Sequence, residues 1–338
     1  MDQPAMPTGR GRARPGLIWA ALLILYVVWG STYLGIRIAV ESIPPFLMAG
    51  SRFALAGLVM FAFAVIRSGR SVALPTRREW RDSFIVGALL MGGGMGMVAL
   101  GEKTVPSGIA ALLIAMMPLW VAVLGRVFLG ERLPRAASLG IAIGLVGVAI
   151  LVGPSGSAAE TFNRFGILAL IISPISWASG SLFSSHRARL PRDPLVATSA
   201  QMFVGGIVLA GMAAVHGEYA NLRLEAITTN SLLAFAYLTL VGSLIAFTAY
   251  VWLLRVAPLP LIATYAYVNP IVAVALGGLV LSEPITPRTL VAGAVIVFAV
   301  ALIITSRTRM TAAHRPASEP RGRDRKTGVT DVEPEAAA

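Results

Sequence analysis

The chain has 338 residues, of which 56% are hydrophobic and only 13% are charged, and its mean hydropathy is +0.77. A soluble protein has about 25% charged residues, so this composition excludes a water-soluble globular domain and predicts a polytopic membrane protein. The absence of cysteine excludes disulfides, thiol catalysis and thiolate metal sites. The net charge of +12 has two candidate explanations, nucleic-acid binding and the distribution of basic residues that fixes membrane topology.

The apolar runs follow one another at the length of a bilayer-crossing helix, which is about 20 residues. Taken in chain order, they predict ten transmembrane helices at residues 17–39, 44–66, 83–101, 106–125, 136–153, 165–185, 195–215, 231–253, 259–281 and 288–305. Short polar or proline-containing breaks separate them, such as "SIPPF" at 42–46. Residues 1–16 form a basic N-terminal segment and residues 154–164 an outer linker. The tail 306–338, rich in Arg, Pro, Glu and Ala, is predicted to be disordered.

Basic residues are unevenly distributed over the predicted connections. With the N-terminus inside, most of the 28 lysines and arginines fall in inner segments, and the outer side holds only Arg37, Lys103, Arg164, Arg223 and Arg288. This asymmetry predicts a multi-pass protein of a bacterial inner membrane with both termini in the cytoplasm. It also explains the high isoelectric point without nucleic acid.

The two halves of the chain repeat each other. The stretch "PLWVAVLGRVFLGERL" (118–133) aligns without gaps with "PIVAVALGGLVLSEPI" (270–285), and at a slightly smaller offset Trp29 falls on Trp177. Each half, 17–153 and 165–305, contains five predicted helices. Because five is odd, the second half must enter the membrane from the opposite side. Such inverted repeats usually form secondary transporters, with the substrate site near the midplane between the halves.

The stretches "WGSTYLGIRIAVESIPPFLMAGSRFALAG" (29–57) and "GEKTVPSGIAALLIAMMPLWVAVL" (101–124), followed by "GERL" (130–133), resemble the EamA domain of the drug/metabolite transporter superfamily. They are most similar to the YedA type of bacterial inner-membrane metabolite exporter. The resemblance covers residues 17–305. It implies an all-α fold of ten transmembrane helices in two inverted EamA repeats, a central cavity, and export of amino acids, metabolites or drugs.

Polar and aromatic residues at mid-depth are the first candidates for a substrate site. Trp29, Ser31 and Tyr33 lie in the first helix, and Trp177 and Ser181 lie at similar depth in the sixth. A tryptophan away from the membrane interfaces needs a partner for its indole N–H, and a wet cavity would supply one. For the small polar residues, close helix packing remains the alternative to cavity lining.

Two helices carry a proline in their middle, which removes a backbone hydrogen bond and is tolerated where the backbone lines a cavity. In the fourth helix Met116 and Trp120 flank this proline, and in the ninth Tyr265 and Asn269 precede it. These four side chains are expected to form an adaptable pocket wall. The alternative is a packed kink with aromatic filler.

Arg52 lies inside the second predicted helix, where an arginine costs at least about 2.5 kcal/mol unless it is hydrated or paired. It either binds a substrate carboxylate or anchors the structure by pairing with Glu41, Glu102 or a helix C-terminus. Glu102 itself is expected to form an ordinary interfacial pair with Lys103. The glycine-rich stretch "MGGGMGM" (91–97) serves either close packing or flexibility.

These features predict a secondary transporter with a small-molecule substrate and the lipid bilayer as partners, no nucleic acid and no cofactor, and a homodimer as one possible assembly. A facilitative, channel-like permease is the alternative. An enzyme is not expected, because Ser181 and His186 do not reach a common depth for serine chemistry and no span holds metal ligands. No G-x-x-x-x-G-K-[ST] motif occurs, so an ion or substrate gradient would supply the energy.

Overall fold

The structure is a computed structural model that describes residues 14–68, 74–153 and 163–313. Within these ranges the protein is all-helical, with nine helices long and apolar enough to cross a membrane and one shorter apolar helix. In chain order they are α1 Pro15–Ala39, α2 Pro45–Arg67, α3 Arg77–Glu102, α4 Ser107–Leu129, α5 Arg135–Val152, α6 Arg164–His186, α7 Pro194–Val215, α8 Thr229–Tyr250, α9 Tyr265–Leu281 and α10 Pro287–Ser306.

Side-chain caps determine where several helices begin. Thr76 and Glu79 form a capping box at the start of α3. Asn163 accepts from the amides of Phe165 and Gly166 at the start of α6, and Asp193 caps α7 in the same way. These caps satisfy amide groups that have no partner inside the helix, so they fix the helix starts near the ends of the bundle.

Glycines allow the closest helix pair, α2 with α7, to pack backbone against backbone. A Cβ at Gly57 would lie 2.7 Å from the Phe203 amide nitrogen, and one at Gly206 would lie 2.6 Å from that of Ala54. Small residues serve this purpose in membrane helix packing. A second close pair, α5 with α10, packs at the other side of the bundle.

The packing of the first half corresponds to that of the second. Helix α3 packs on α6 as α8 packs on α1, and α4 packs on α6 as α9 packs on α1. Three pairs of helices that hold equivalent positions in the two halves also pack on each other, namely α2 with α7, α4 with α9 and α5 with α10. This exchange of partners is what a pseudo-two-fold relation between two five-helix halves produces.

Several helices are irregular at mid-length. Helices α1, α3 and α8 contain widened π-helical turns at Leu25–Trp29, Ala88–Gly96 and Leu238–Ile245. Helix α4 is interrupted at 115–116, between Ser107–Ile114 and Met117–Leu129. Wide turns of this kind often mark functional sites, because they displace backbone and side chains from the regular helical path.

Two sequence-based boundaries differ from the structure. The last helix continues to Ala313, because Arg, Met and Ala after residue 306 are good helix formers, so the expectation of disorder is wrong for 306–313. The ninth predicted helix, 259–281, is divided into Leu259–Ile262 and Tyr265–Leu281, which leaves α9 shorter than a full span. The predicted N-terminal segment, outer linker and remaining tail fall largely on residues 1–13, 154–162 and 314–338, outside the described residues.

Candidate functional site: a cavity between the two halves

A cavity of about 320 Å³ lies in the middle of the bundle, and it is large enough for a small metabolite. Eight of the ten helices contribute to it, all except α5 and α10. Most lining side chains are apolar or aromatic. The polar and aromatic ones are Trp29, Tyr33, Arg52, Phe53, Ser173, Trp177, Ser181, Ser243, Phe247, Tyr250, Tyr265 and Asn269. The lining residues come from both halves of the chain.

Seven of the ten candidate residues from the sequence line this one cavity: Trp29, Tyr33, Arg52, Trp177, Ser181, Tyr265 and Asn269. The structure thereby brings together residues separated by up to 240 positions. The other three, Ser31, Met116 and Trp120, do not line it, and each has a packing role instead.

Ser31 points to α8, where it bonds to the Tyr237 hydroxyl at 2.6 Å and donates to the Val28 carbonyl at 2.9 Å. Met116 is buried in the core, and its methyl group occupies the space that Gly144 of α5 leaves open. Trp120 is partly buried against the same core cluster. These three side chains do not line the cavity in this structure, because their helices are rotated so that neighbouring residues face it, and their contact with a substrate stays a prediction.

An aromatic group encloses one side of the cavity. The ring of Trp29 lies 5.0 Å from Tyr265, edge to face, and 5.2 Å from Tyr250. Phe247 lies 5.9 Å from Tyr250. Edge-to-face aromatic pairs are favourable by about 0.5–1.5 kcal/mol beyond their burial. These four rings, which we call the aromatic wall, hold Trp29 in one orientation beside the cavity.

Ser243, Phe247 and Tyr250 were not singled out from the sequence. They are spaced i, i+4, i+7 in "GSLIAFTAYVW", which places them on one face of α8. That spacing was a usable signal. The spacing did not distinguish cavity lining from ordinary helix packing, because the same stretch fits both.

Arg52 is the one charged residue among those that line the cavity. It is only 4% exposed, its Nε donates to Ser243 Oγ at 2.8 Å, and its guanidinium carbon lies 4.8 Å from the centre of the Phe53 ring. The ion pairs considered from the sequence, with Glu41 or Glu102, are not formed in the described ranges. The guanidinium is thus oriented by neutral neighbours beside the cavity.

Ser243 can accept from Arg52 because of the widened turn in α8. The Ser243 hydroxyl donates to the Leu238 carbonyl five residues earlier, at 3.1 Å, which leaves its oxygen lone pairs for the Arg52 Nε. Asn269 adds a second polar group, because its Oδ1 is buried without a protein partner in the described ranges. The cavity therefore offers one cation and one free amide oxygen in mostly apolar surroundings.

Three prolines of the apolar helices line the cavity, Pro174 of α6 and the two noted in the sequence, Pro118 and Pro270. Proline has no amide hydrogen, so the carbonyls four residues before the latter two, at Ile114 and Ala266, lose their usual helical donor. Both of these residues also line the cavity. The backbone at this level is therefore more polar than in a regular transmembrane helix.

The glycine-rich stretch of α3 packs closely against its neighbours. A Cβ at Gly94 would lie 2.8 Å from the Trp177 ring, and one at Gly96 would lie 2.5 Å from Leu209. Of the two alternatives left by the sequence, close packing fits these contacts. Gly94 in particular gives Trp177 the room to lie beside the cavity.

At one end of the bundle, which we call the Glu102 end, α3 ends and α4 begins, and Glu102 and Ser107 are both fully buried, from which we infer that this end is closed. The first turns of α4, from Ser107 to Leu113, are buried on every side. Glu283 holds this helix start: its carboxylate accepts from the Ser107 amide at 2.8 Å, the Ser107 hydroxyl at 2.9 Å and the Gly108 amide at 3.3 Å. Glu218 accepts from two amides at the start of α2 in the same manner. We call the opposite end, where α1 begins, the Pro15 end.

Glu102 does not form the expected interfacial pair with Lys103. Its side chain is fully buried, whereas Lys103 is exposed. The Arg37 guanidinium contacts the backbone carbonyl of Glu102 instead of its carboxyl group. The helices α1, α2 and α6 all pack against this end of α3, which explains the burial.

Comparison with known proteins identifies the family. A model of the EamA-like transporter family matches residues 14–153 and again 164–305. The "uncharacterized inner membrane transporter YedA" of Escherichia coli K12 is 41% identical over 288 residues, which cover 85% of this chain and 90% of that protein. A "probable amino-acid metabolite efflux pump" of Salmonella typhimurium is 27% identical over 296 residues, which cover 82% of this chain and 91% of that protein.

A crystal structure with 21% sequence identity superimposes with a TM-score of 0.59 and covers 86% of this chain and 97% of its own, which shows the same fold. The resemblance noted in the sequence is thus confirmed over both halves. The chain belongs to the EamA-like transporter family.

Proposed function

We propose that this protein is a secondary transporter that exports small metabolites, amino acids or drugs across a bacterial inner membrane by alternating access at the central cavity. The observation that carries the proposal is the cavity itself, which lies where the two halves meet and is lined by residues of both. A site between two repeats can be opened to one side or the other by rocking one half against its partner.

The topology we propose has ten membrane crossings in two inverted five-helix repeats, with both termini in the cytoplasm. The exchange of helix partners between the halves supports the repeat, and the excess of Lys and Arg at the Pro15 end supports the orientation. In this topology the shorter helix α9 counts as a crossing together with Leu259–Ile262. The Glu102 end then faces the periplasm.

The lining residues suggest an amphipathic substrate with an acidic group. The guanidinium of Arg52 has the planar geometry that recognises a carboxylate, and Asn269 Oδ1 would accept a hydrogen bond from an amino or amide group. The aromatic wall would hold an apolar or aromatic side chain. An amino acid or a related metabolite combines these three features, and the Salmonella relative is named for such a substrate.

Closure at the Glu102 end favours a carrier over the channel-like alternative. A channel needs a continuous path, whereas the start of α4 is buried on all sides between the cavity and this end. Access from the periplasm would therefore require the helices to move, which is the step that makes a carrier saturable.

A resistance screen tests the proposal. Cells that overexpress the chain are grown with inhibitory concentrations of individual amino acids and their analogues, beside cells that carry empty vector or the Trp29→Ala variant. Export predicts resistance to one chemical group of compounds, in which carboxylate-bearing ones predominate, and loss of that resistance in the variant at equal membrane abundance. Equal growth of all three strains on every compound would contradict the proposal.

A further inference from the structure

Glu102 is an acidic side chain buried without a partner. It is the last residue of α3, its solvent exposure is 0%, and neither carboxyl oxygen has a hydrogen-bond partner in the described ranges. An ionised carboxylate in such a position would be strongly unfavourable, because burial removes its water and no donor replaces it. The geometry therefore fits a neutral, protonated carboxyl group.

No ion pair compensates a negative charge on Glu102 within the described ranges. The charged groups that act on it are Glu283, Arg37 from α1 and Arg52 from α2, and neither arginine forms an ion pair with it. The two arginines have other partners, the Glu102 backbone carbonyl and Ser243. Glu283 is a second acid nearby; it follows α9 and accepts a hydrogen bond from the Ser107 amide at the start of α4.

The remaining neighbours of Glu102 contribute no charge. From α6, Gly166 and Leu170 lie against the preceding residue, Gly101. Lys103 follows Glu102 directly but is exposed. Within the described ranges, neither Arg37 nor Arg52 forms an ion pair or a hydrogen bond with the Glu102 carboxyl group while this end is closed.

The burial of Glu102 depends on closure of the Glu102 end. It results from the packing of α1, α2, α4 and α6 around the end of α3. Any movement that opens a path from the cavity to this end must separate some of these helices, and water then reaches the carboxyl group. An exposed glutamate at neutral pH is ionised, so opening and deprotonation are linked.

We propose that Glu102 is a proton-binding site whose occupation permits the Glu102 end to close. One proton from the solution at that end binds a carboxylate oxygen when the end closes, and it leaves as H⁺ to water when the end opens. The inference rests on the alternating-access function proposed above, and it adds that the pH on the Glu102 side sets the balance between closed and open forms.

The test uses a single cysteine, because the chain has none of its own. Ile36 is 1% exposed and lies one helical turn beyond the cavity-lining Tyr33, toward the Glu102 end. The Ile36→Cys variant is purified into nanodiscs, and its rate of modification by a water-soluble maleimide is measured at several pH values. The same cysteine is then measured in the Glu102→Gln background, so that the ratio of the two rates cancels the pH dependence of the thiol.

Because one proton is linked to closure, the ratio of rates is expected to rise toward tenfold per pH unit between about pH 6 and about pH 8. In the Glu102→Gln background the modification stays slow, since this side chain cannot ionise and the closed form is favoured. The matched control is Glu41→Gln, an exposed acid at the same end, which should keep the pH dependence of the parent.

A ratio of rates that does not change with pH would overturn the proposal, because Glu102→Gln would then have left the pH dependence of the parent unchanged and closure would take up no proton at Glu102. The measurement does not involve transport, so a failure of the proposed function in the resistance screen would be recognised separately.

Discussion

Replacement of Glu283 by alanine should destabilise the protein, because this side chain of the second half holds the start of a helix in the first. Its carboxylate accepts three hydrogen bonds, from the Ser107 amide, the Ser107 hydroxyl and the Gly108 amide. Ser107 is fully buried, so water does not replace these bonds. An unpaired buried donor costs about 1–3 kcal/mol, and we therefore expect a loss of about 2–4 kcal/mol in the free energy of unfolding for Glu283→Ala.

A double-mutant cycle separates the contribution of the Ser107 hydroxyl to the free energy of unfolding from that of the two backbone amides. Ser107→Ala removes only the bond at 2.9 Å and should cost about 1–2 kcal/mol, which is typical of a bond to a charged acceptor. The double variant should cost less than the sum of the two single ones, because the hydroxyl bond is lost in both. Glu283→Gln should lie between the parent and Glu283→Ala, since an amide oxygen still accepts from the Ser107 amide.

The assay is reversible unfolding in detergent, with the midpoint and slope determined for each variant. Glu225→Ala is the matched control, because this acid is exposed in the short helix Leu224–Ala226 and should change the free energy by less than about 0.5 kcal/mol. If Glu283→Ala were as stable as Glu225→Ala, the reasoning about the buried helix start would be refuted.

The remaining predictions concern the cavity. Trp29→Ala should lower flux about tenfold at unchanged membrane abundance, because it removes two aromatic contacts that shape the binding site, and Trp19→Ala, at an exposed position, should have no effect. Arg52→Gln should raise KM about 10–100-fold for carboxylate substrates, with little change for analogues without the carboxylate, and equal changes for both would exclude direct recognition. Gly94→Ala should lower flux as well, since its Cβ would lie 2.8 Å from the Trp177 ring and displace that ring into the cavity. Unchanged flux in that variant would show that the ring position is not important.

Much of the architecture could be predicted from the sequence, because a membrane helix of about 20 apolar residues is a local property of the chain. The boundaries that failed depend on subtler features. The division of the ninth predicted helix at Ala263 and Thr264 leaves no trace in hydropathy, because both flanking pieces are apolar. The extension to Ala313 occurs in a polar stretch, where helix propensity and not hydropathy decides.

The rotation of the helices explains why three of the candidate site residues do not line the cavity. Residues i and i+4 share a helical face, so Trp29 and Tyr33 were correctly grouped, whereas Ser31 lies two residues on and points to the opposite side. Met116 and Trp120 also share a face, but it is the face toward the core, and the adjacent Met117 lines the cavity instead. A rotation of about 100° per residue separates the two outcomes, and the sequence alone does not determine the rotation of a helix that is apolar on all sides.

The burial of Glu102 was the largest difference from the sequence interpretation. Its neighbour Lys103 is exposed and typical of an interface, which suggested a local ion pair. Contacts with helices distant in the sequence bury it instead, including Arg37, 65 residues away. Such contacts follow from the tertiary packing of four helices, and no local pattern encodes them.

Counterflow in proteoliposomes shows whether one cavity binds substrate and opens alternately to the two sides of the membrane. Vesicles containing the purified protein are preloaded with an unlabelled compound identified by the resistance screen and diluted into a trace of the same compound in labelled form. Alternating access predicts transient accumulation of label above equilibrium, saturable with concentration and reduced by Trp29→Ala. Simple equilibration of label, linear in concentration and unaffected by the preloaded compound, would contradict it.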